Sequence, residues 1–536
     1  MKRSVYFLGT VCLTLSLLPG MALGQPDHNP LTPSLDERVF CDVCSVLRPD
    51  LLPADRQIEP PKAARCGTAL LMEAMSHWDR LQPSTRAKLT TLFQRPSNQR
   101  SYTSPTGHFM IHYDLTGSDA VDTSDSNGDG IPDYVELVAE SFDHARDREV
   151  NELGYLPPPD DGDGVYDIHI QQLGLQGVYG LAWSDQSQIT SDSYIQIDNN
   201  FTDNIYATRG SDGVQVTAAH EYFHAIQFAY FTPFSAAWWQ ELTATWMEDV
   251  IYDDINDYYQ YQMFFFQDPE TSLDDSPFAG LQPFAASVFA HHLEQVYGRD
   301  LIRATWESLG TREPSVYDIT DIEVALPGGF SSVLPRFAVW NYLTGTRHVG
   351  SYYEEGAQYT EINPRQITVT PGVMTSGSAR IDHLASTYLS VNTRSLSGGL
   401  RVSLSLESGS TYEVVMMLMK NGVPEVVSWA GTETTIANVS RYDEVVVIPV
   451  STSTSGDRFD IGYSVTNATS VATTSDLVGD FDRDGSVAFS DFLSFAESFG
   501  KLATDAGHVR QHDLNADGDI GFGDFLIFAG HFGESR

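Results

Sequence analysis

The chain has 536 residues, which is room for about three folded domains. Hydrophobic residues make up 41% of it, so a core can be buried, and 72 Asp and Glu outnumber 31 Lys and Arg, for a formal net charge of -41. A charge of that sign repels phosphate backbones and anionic lipids, which excludes nucleic-acid binding. It also supplies many carboxylate oxygens, the ligands that Ca²⁺ prefers.

Residues 1–24 have the layout of a secretory signal. Lys2 and Arg3 precede an apolar run over residues 5–18, and the mature chain is expected to begin near Gln25. The alternative is an uncleaved anchor, although no later stretch approaches the roughly 20 apolar residues that cross a membrane. The sequence predicts an exported protein, extracellular or at the cell surface, with no membrane span.

The rest of the chain divides into four regions. Residues 25–100 carry apolar side chains at helical spacing, and residues 101–350 mix alternating strands with helices. Residues 365–468 hold short Val-, Ser- and Thr-rich runs between Gly and Asn turns, which predicts an all-β sandwich. Residues 476–536 contain an internal repeat, in which eight residues from Phe489 onward recur at one fixed offset.

Strands and helices can be placed in the second region. The predicted elements are strands at 108–113 and 194–198 and helices at 214–230, 236–252, 288–297 and 335–343. His108 and His112 share one face of the first strand, but no third ligand follows nearby, so both are interpreted as structural.

One helix carries an HExxH sequence, formed by His220, Glu221 and His224. A spacing of four residues puts both imidazoles on one helix face, where they can hold one Zn²⁺. Glu221 adjoins the first ligand and can act as a general base on water at the metal. The sequence alone also allows an amphipathic helix with a buried, salt-bridged histidine.

A catalytic zinc needs three protein ligands and one open position. Glu241 lies early on the next helix, after a turn near Thr232-Pro233, and a return of the chain would bring it level with the histidines. Glu248 lies seven residues on, on the same face, and is either a rival ligand or a partner that orients an imidazole. The predicted zinc ligands are His220, His224 and Glu241.

A resemblance to a known family supports this prediction. Residues 217–227, followed by Trp239-Gln240-Glu241-x-x-Ala244-x-Trp246-x-Glu248-Asp249, resemble secreted bacterial zinc metalloproteases of the gluzincin type. Phe109–Tyr113 and Asp125–Glu136 resemble the N-terminal part of the same family, so the resemblance covers about residues 100–300. It implies an α+β zincin-like metalloprotease domain in which two histidines and a downstream glutamate bind zinc.

The resemblance also implies the chemistry, peptide-bond hydrolysis with Glu221 as the base that returns the proton to the leaving amine. Thr245 stands where many gluzincins have an Asp that orients a histidine, which leaves Glu248 as the candidate for that role. Four side chains are candidate oxyanion donors between which the sequence does not choose: Tyr258, Tyr259, His291 and His292.

Residues 125–136 match a twelve-residue calcium loop of the EF-hand type. Its ligand positions and turn glycine are Asp125, Asn127, Asp129, Gly130, Asp133 and Glu136. A second candidate, with Asp161, Asp163 and Asp167, is equally well explained as a solvated turn.

The C-terminal repeat holds two more such loops. The first has Asp480, Asp482, Asp484, Gly485 and Asp491, and the second has Asp513, Asn515, Asp517, Gly518 and Asp524. Two loops that each open an aromatic-rich helix resemble a type I dockerin. This implies a small α-helical domain that folds around two Ca²⁺ ions and binds a cohesin domain of a scaffold protein. The alternative is a self-contained calcium-stabilised cap.

Two functions are therefore predicted. The first is a secreted zinc metalloendopeptidase, stabilised by calcium and attached to a scaffold through its dockerin-like tail. The second is a calcium-dependent surface adhesion or scaffold-bound binding protein whose zinc site is not catalytic. A closed four-ligand zinc site would favour the binding protein, because structural zinc sites leave no open position.

The cysteines raise a question of regulation. Cys12 leaves with the signal, and Cys41, Cys44 and Cys66 remain. In an exported protein we expect one disulfide to Cys66, which leaves one cysteine unpaired. If residues 25–100 are a pro-segment that ends at Arg100-Ser101, the unpaired thiol could cap the zinc. The alternative is a buried cysteine in a permanent helical subdomain.

Overall fold

The computed structural model describes residues 33–52, 65–159, 162–175, 177–183, 192–231, 236–275, 280–311, 319–429, 431–468, 477–482 and 484–535. The predicted signal, Cys12, the turn at Thr232-Pro233 and Asp161 lie outside these ranges.

The described part of the N-terminal region contains three α-helices, α1 (Leu35–Leu47), α2 (Thr68–Ser76) and α3 (Pro83–Leu92). Ser34 and Glu37 form a reciprocal capping box at the start of α1, which satisfies backbone N–H groups that the helix leaves open. Buried side chains of these helices share one apolar cluster with Leu181 and Trp183 of a following strand. The N-terminal region is therefore packed onto the edge of the sheet that follows it.

That sheet has five strands in the order β1-β2-β3-β5-β4. The strands are β1 (Arg100–Thr103), β2 (Phe109–Tyr113), β3 (Tyr166–Gln171), β4 (Gly180–Trp183) and β5 (Tyr194–Asp198). The three central strands are parallel, and β1 and β4 run antiparallel at the two edges. Arg100 and Ser101 pair with Tyr113 and His112, so the predicted segment boundary falls inside a strand.

Nine helices among the described residues follow or cover the sheet. They are α4 (Asp133–Arg146), α5 (Gly210–Gln227), α6 (Ala237–Ile251), α7 (Tyr259–Gln267), α8 (Gln282–Ala285), α9 (Val288–Tyr297), α10 (Asp300–Leu309), α11 (Thr320–Glu323) and α12 (Phe330–Tyr342). Helix α12 begins before the predicted start at Pro335, directly after Gly328 and Gly329, which both have positive φ. Helix α5 packs between α4 and α6, which buries it on nearly every side from Val214 onward.

Two sheets form the next region. The strands are β6 (Arg365–Gln366), β7 (Met374–Ile381), β8 (Leu389–Asn392), β9 (Gly399–Leu406), β10 (Tyr412–Lys420), β11 (Val423–Ser428), β12 (Glu433–Ile436), β13 (Glu444–Ser451) and β14 (Phe459–Ala468). They pair as β11-β10-β13-β8-β6 and β12-β9-β14-β7. Alternate residues of β10 point into the cluster between the sheets, and the others join the core that contains α12.

The tail holds α13 (Phe489–Ser498) and α14 (Phe522–His531) around a small core with Val487, Leu514 and Phe528. It is tied to the rest of the chain, because Arg336 of α12 lies 2.6 Å from Asp513 and Val426 of β11 donates to the carbonyl of Leu514. No helix of the described residues is long and apolar enough to cross a membrane, as predicted.

The predicted disulfide is wrong. Cys44 and Cys66 are both buried thiols that form no disulfide. Cys44 packs within α1, whereas Cys66 lies against the HExxH helix and contacts Glu221 instead of another cysteine.

Candidate metal centre

The two histidines of the HExxH sequence face each other on α5. His220 and His224 are 1% and 0% exposed, and their Nε2 atoms lie 3.1 Å apart. The one-turn spacing on a helix produces this approach, because residues four apart lie on the same face. Both imidazoles therefore present the same ring nitrogen to one point.

Neighbouring acceptors fix the tautomer of each ring. Nδ1 of His220 lies 2.6 Å from Glu248, and Nδ1 of His224 lies 2.8 Å from Oε1 of Gln227. The Gln227 amide nitrogen donates to the Gln240 carbonyl, which keeps its oxygen turned toward the imidazole. A neutral imidazole that donates from Nδ1 has a lone pair at Nε2, so both Nε2 atoms are free to act as ligands.

Glu241 completes the group from α6. Its Oε2 lies 3.3 Å from Nε2 of His220 and 3.4 Å from Nε2 of His224. Its other oxygen has no hydrogen-bond partner within the described part of the chain, although the residue is 1% exposed. Buried acceptors that converge without donors are costly unless a cation lies between them.

The pKa shifts of His220 and Glu241 also indicate that a positive charge is needed between the buried acceptors. Burial opposes charge on His220, but Glu241 and Glu248 outweigh it and raise the pKa of His220 to about 9. Burial also favours neutral Glu241, yet the two histidines hold the pKa of that carboxyl well below its usual range. The carboxylates thus demand positive charge at this point, which is supplied by a proton or, in its place, by a metal ion.

Glu221 faces the cluster from the same helix turn. Burial is the main reason that the pKa of Glu221 is raised. Its Oε2 accepts a hydrogen bond from the hydroxyl of Thr68 at 3.3 Å and lies 3.6 Å from Sγ of Cys66. Ligand atoms of Cys66, His220, His224 and Glu241 all lie within 4.8 Å of one another.

Arg65 binds the carboxylate that orients His220. Its guanidinium lies 2.5 Å from Glu248, pairs with Asp257 and stacks over the rings of Tyr179 and Tyr261. All of these groups are buried. Arg65, Thr68 and Asp257 could not be predicted from the sequence, because nothing in their local sequence marks them and the fold brings them together from distant parts of the chain.

The four candidate oxyanion donors contact other side chains, although Nε2 of His291 and both ring nitrogens of His292 have no hydrogen-bond partner within the described residues. Tyr258 donates to Glu355, and its ring stacks with His291. Tyr259 packs edge-on against Tyr258. Burial lowers the pKa of His291 to about 3, and His292 packs edge-on against Trp340. The choice among these four stays open.

Both C-terminal loops gather their carboxylates. Ligand oxygens of Asp480, Asp482 and Asp491 lie within 4.8 Å of one another, and so do those of Asp513, Asp517 and Asp524. The turn glycines donate back to the first aspartate of each loop, Gly485 to Asp480 and Gly518 to Asp513. Asn515 donates to Asp517 in the second loop, whereas Asp484 of the first accepts from Ser486.

The loop at residues 125–136 is arranged differently. Asp125 accepts from the backbone of Gly128 and Gly130, as a calcium loop requires. Asp129 accepts from the backbone of Ile131, Asp133 is turned toward Ser126 and Glu136 toward Asn127. No three acidic side chains of this loop meet the 4.8 Å distance, although the loop is described throughout.

A further group lies on the sheet. Nε2 of His112 is 2.7 Å from Asp167, which also pairs with Arg95, and the His112 ring stacks on His169. Ligand atoms of His112, Asp167 and His169 lie within 4.8 Å of one another, so His112 does have further candidate ligands nearby. The two imidazole planes are nearly parallel, at 13°, so their in-plane lone pairs are poorly directed at one ion. Asp167 is engaged with these groups, and Asp161 of the weaker calcium candidate lies outside the described residues.

Comparison with known proteins adds little. No protein-family profile and no curated protein matches the chain. Among solved structures, the chain is similar to a family GH115 4-O-methyl-alpha-glucuronidase with specificity for decorated arabinogalactans, at 9% identity and a TM-score of 0.13. The match covers 48% of this chain and 38% of that chain, so the chain spans well under half of that enzyme. A TM-score of 0.13 carries no argument about fold or function.

Proposed function

We propose that the protein is an exported zinc-dependent peptidase of the gluzincin type. The observation that carries the proposal is the convergence of three buried acceptors, Nε2 of His220, Nε2 of His224 and Oε2 of Glu241, with both rings held in the ligand tautomer. Two imidazoles and one carboxylate are the donor set of many catalytic zinc sites. The residues therefore fit zinc.

The chain's own groups divide the chemistry between them. A zinc ion held by these residues acts as a Lewis acid and lowers the pKa of water at its open position. Glu221 accepts the proton as water attacks the peptide carbonyl and returns it to the leaving amine. Its raised pKa, caused by burial, suits a carboxyl that both takes and gives a proton. Glu248 and Gln227 keep the two imidazoles oriented.

The edge strand β4 supplies a surface for an extended peptide. Gly180 lies so close to α5 that a Cβ there would approach Glu221 and Thr217 at 2.8 Å. A peptide that adds to a sheet edge forms backbone hydrogen bonds with it. In this structure that edge already pairs with the chain at Arg65 and Gly67, so substrate needs the place that this segment occupies.

We further propose Ca²⁺ at the C-terminal loops and at the Asp125–Glu136 loop, and a scaffold protein as partner of the tail. The proposal of a protein partner is supported by exposed apolar side chains at matching positions of the repeat: Phe489 and Phe522, Leu493 and Leu526, Phe499 and Phe532. Such a paired apolar surface on a small domain is typical of an interaction site.

One observation favours the second function, a binding protein whose zinc is structural. Cys66 lies within ligand distance of the histidines and Glu241, and four protein ligands close a zinc site. The experiment therefore uses the full chain both as it is and as Cys66→Ala, each loaded with zinc and incubated with an unfolded protein substrate. Glu221→Gln in each background is the matched control, with zinc content measured alongside.

The peptidase is supported if at least one zinc-loaded chain degrades the substrate. Its Glu221→Gln control must then retain zinc and lose the degradation. If neither chain degrades the substrate although both bind zinc, the peptidase proposal is wrong and the site is structural. Degradation that survives Glu221→Gln or chelation of zinc also contradicts the proposal.

A further inference from the structure

We propose that Cys66 is a fourth ligand of the zinc site and that the segment Arg65–Thr68 holds the peptidase in a closed, inactive form. The inference rests on the proposed zinc site and adds its regulation. It is carried by the position of Sγ among the ligand atoms of His220, His224 and Glu241, all within 4.8 Å. The second oxygen of Glu241 also lacks a hydrogen-bond partner within the described residues, so the cluster still calls for a cation.

The surroundings of Cys66 suit a metal-bound thiolate. The sulfur lies at the start of helix α2, where the backbone N–H of Thr68 donates to it at 3.3 Å. Helix N-termini stabilise negative charge, but burial, with Glu221 and Glu241 nearby, raises the pKa of the Cys66 thiol, so the thiolate that binds zinc needs the charge of the metal ion itself. The side chain is 6% exposed, so its sulfur is directed to the protein interior and not to solvent.

The backbone on both sides of Cys66 is fixed to the edge of the sheet. Tyr179 donates to the Arg65 carbonyl at 2.9 Å, and Gly67 donates to the Gly180 carbonyl at 3.1 Å. Any side chain at position 67 would collide, because a Cβ there would lie 2.9 Å from Val46 and 3.2 Å from Leu181. The segment is thus clamped between α1 and β4, with its cysteine aimed at α5.

Arg65 adds a second attachment inside the site. It pairs with Glu248, the carboxylate that orients His220, and with Asp257. An arginine this deeply buried is stable only with such partners. The N-terminal segment therefore supplies both a ligand and a counter-charge to the same cluster.

Closure follows from these contacts. Thr68 donates to the carboxylate of Glu221, and the segment occupies the edge of β4 beside it. Residues 65–68 fill space that three groups would need: a water molecule at the metal, the carboxylate of Glu221 when it acts as the base, and an extended substrate. Withdrawal of this segment, by cleavage or by loss of the sulfur contact, opens the fourth position and frees Glu221.

The direct test is the absorption spectrum of the full chain loaded with Co²⁺ in place of zinc. Cobalt bound to a thiolate has an intense charge-transfer band in the near ultraviolet. We expect the band in the native chain and in Cys44→Ser, and its loss in Cys66→Ser and Cys66→Ala. If the native chain binds cobalt but lacks this band, the proposal is overturned. This measurement uses the native chain alone, so it does not depend on whether any variant folds.

Measurement of substrate degradation tests whether the segment closes the site, separately from whether Cys66 is a metal ligand. We expect little degradation of an unfolded substrate by zinc-loaded native chain and Cys44→Ser, and a large gain in Cys66→Ala that Glu221→Gln removes. Equal degradation by native chain and Cys66→Ala would overturn the closure while leaving the proposed peptidase intact. A cobalt band with no degradation by any variant supports Cys66 as a ligand and overturns both the closure of a peptidase and the proposed function.

Discussion

The proposed zinc cluster, formed by His220, His224 and Glu241 with Glu248 behind them, and the Asp125–Glu136 loop are both acidic, yet they satisfy their charge in opposite ways. In the loop, Asp129 is exposed and the other carboxylates are half-buried, and they accept hydrogen bonds from backbone and side chains a few residues away. In the cluster, Glu241 and Glu248 are 1% exposed and face histidines and an arginine from distant parts of the chain. The loop satisfies its carboxylates locally, whereas the cluster needs a cation.

This difference decides how strongly each region depends on metal. A carboxylate that reaches solvent keeps its hydration, so removal of the proposed calcium would cost the loop little beyond the binding energy itself. A buried carboxylate has no such alternative, so removal of the proposed zinc would leave unpaired acceptors in the core. Variants of the cluster should therefore have larger effects than variants of the loop.

The largest expected effect is on turnover, from Glu221→Gln. The amide cannot take a proton from water, and general-base catalysis contributes about 10²–10⁴-fold. We expect a fall in kcat of that size in the Cys66→Ala chain, with zinc content unchanged. The measurement is hydrolysis of a fluorogenic unfolded substrate beside elemental analysis. Loss of zinc together with activity would place Glu221 among the ligands instead.

Glu248→Ala tests whether Glu248 orients the imidazole of His220 for metal binding. Without this carboxylate, Nδ1 of His220 and the guanidinium of Arg65 both lose a partner, and loss of such a partner lowers metal affinity by about 10–100-fold. Competition with a chromogenic zinc chelator measures the change. Glu248→Gln should recover part of the affinity, because its amide oxygen can still accept from Nδ1.

The neighbouring Asp249→Asn is the matched control for Glu248. It lies on the same helix, but its contact is His291 at 3.8 Å and not the zinc cluster, so it should leave zinc affinity unchanged. If Glu248→Ala abolishes zinc binding while Glu241→Ala retains it, the assignment of the third ligand is reversed.

The C-terminal calcium loops should depend on metal more than the Asp125–Glu136 loop and less than the proposed zinc cluster. The second C-terminal loop is buried, and burial raises the pKa of Asp513 to about 8, with Asp517 and Asp524 adding to the shift. Calcium should stabilise such gathered carboxylates most, and binding at 100-fold above Kd contributes about 2.7 kcal/mol. Asp517→Asn should therefore remove most of the calcium-dependent rise in melting temperature of the tail.

The smallest effect is expected at the exposed loop. Asp129→Asn should reduce the calcium-dependent rise in melting temperature of the region around α4, and by less than Asp517→Asn does in the tail. Calorimetry of the full chain with and without calcium measures both. An Asp129→Asn effect as large as that of Asp517→Asn would show that exposure does not govern metal dependence here.

The HExxH motif could be found in the sequence because its three residues share one helix turn, and the spacing rule for helices brings them together. Glu241 and Glu248 could be proposed because they lie seven residues apart on one face of the next helix. Arg65 and Thr68 could not, since their partners lie more than a hundred residues away and depend on how the N-terminal region packs on β4.

Two further predictions show the limits of local patterns. Counting cysteines predicted a disulfide, but Cys66 is held against α5, where its contact is Glu221. The sequence predicts a helix over residues 335–343, whereas α12 begins at Phe330, directly after two glycines with positive φ. In the first case a tertiary contact outweighs the local signal, and in the second the helix starts where the two glycines end.

The central claim is that His220, His224 and Glu241 together hold one zinc ion. Zinc content after extensive dialysis tests it most directly, on the native chain and His224→Ala, with His169→Ala as a control from the group on the sheet. The account predicts one tightly held zinc per chain in the native protein and the control, and its loss from His224→Ala with the fold retained by circular dichroism. A zinc ion that stays bound in folded His224→Ala, or a native chain that binds none, would contradict it.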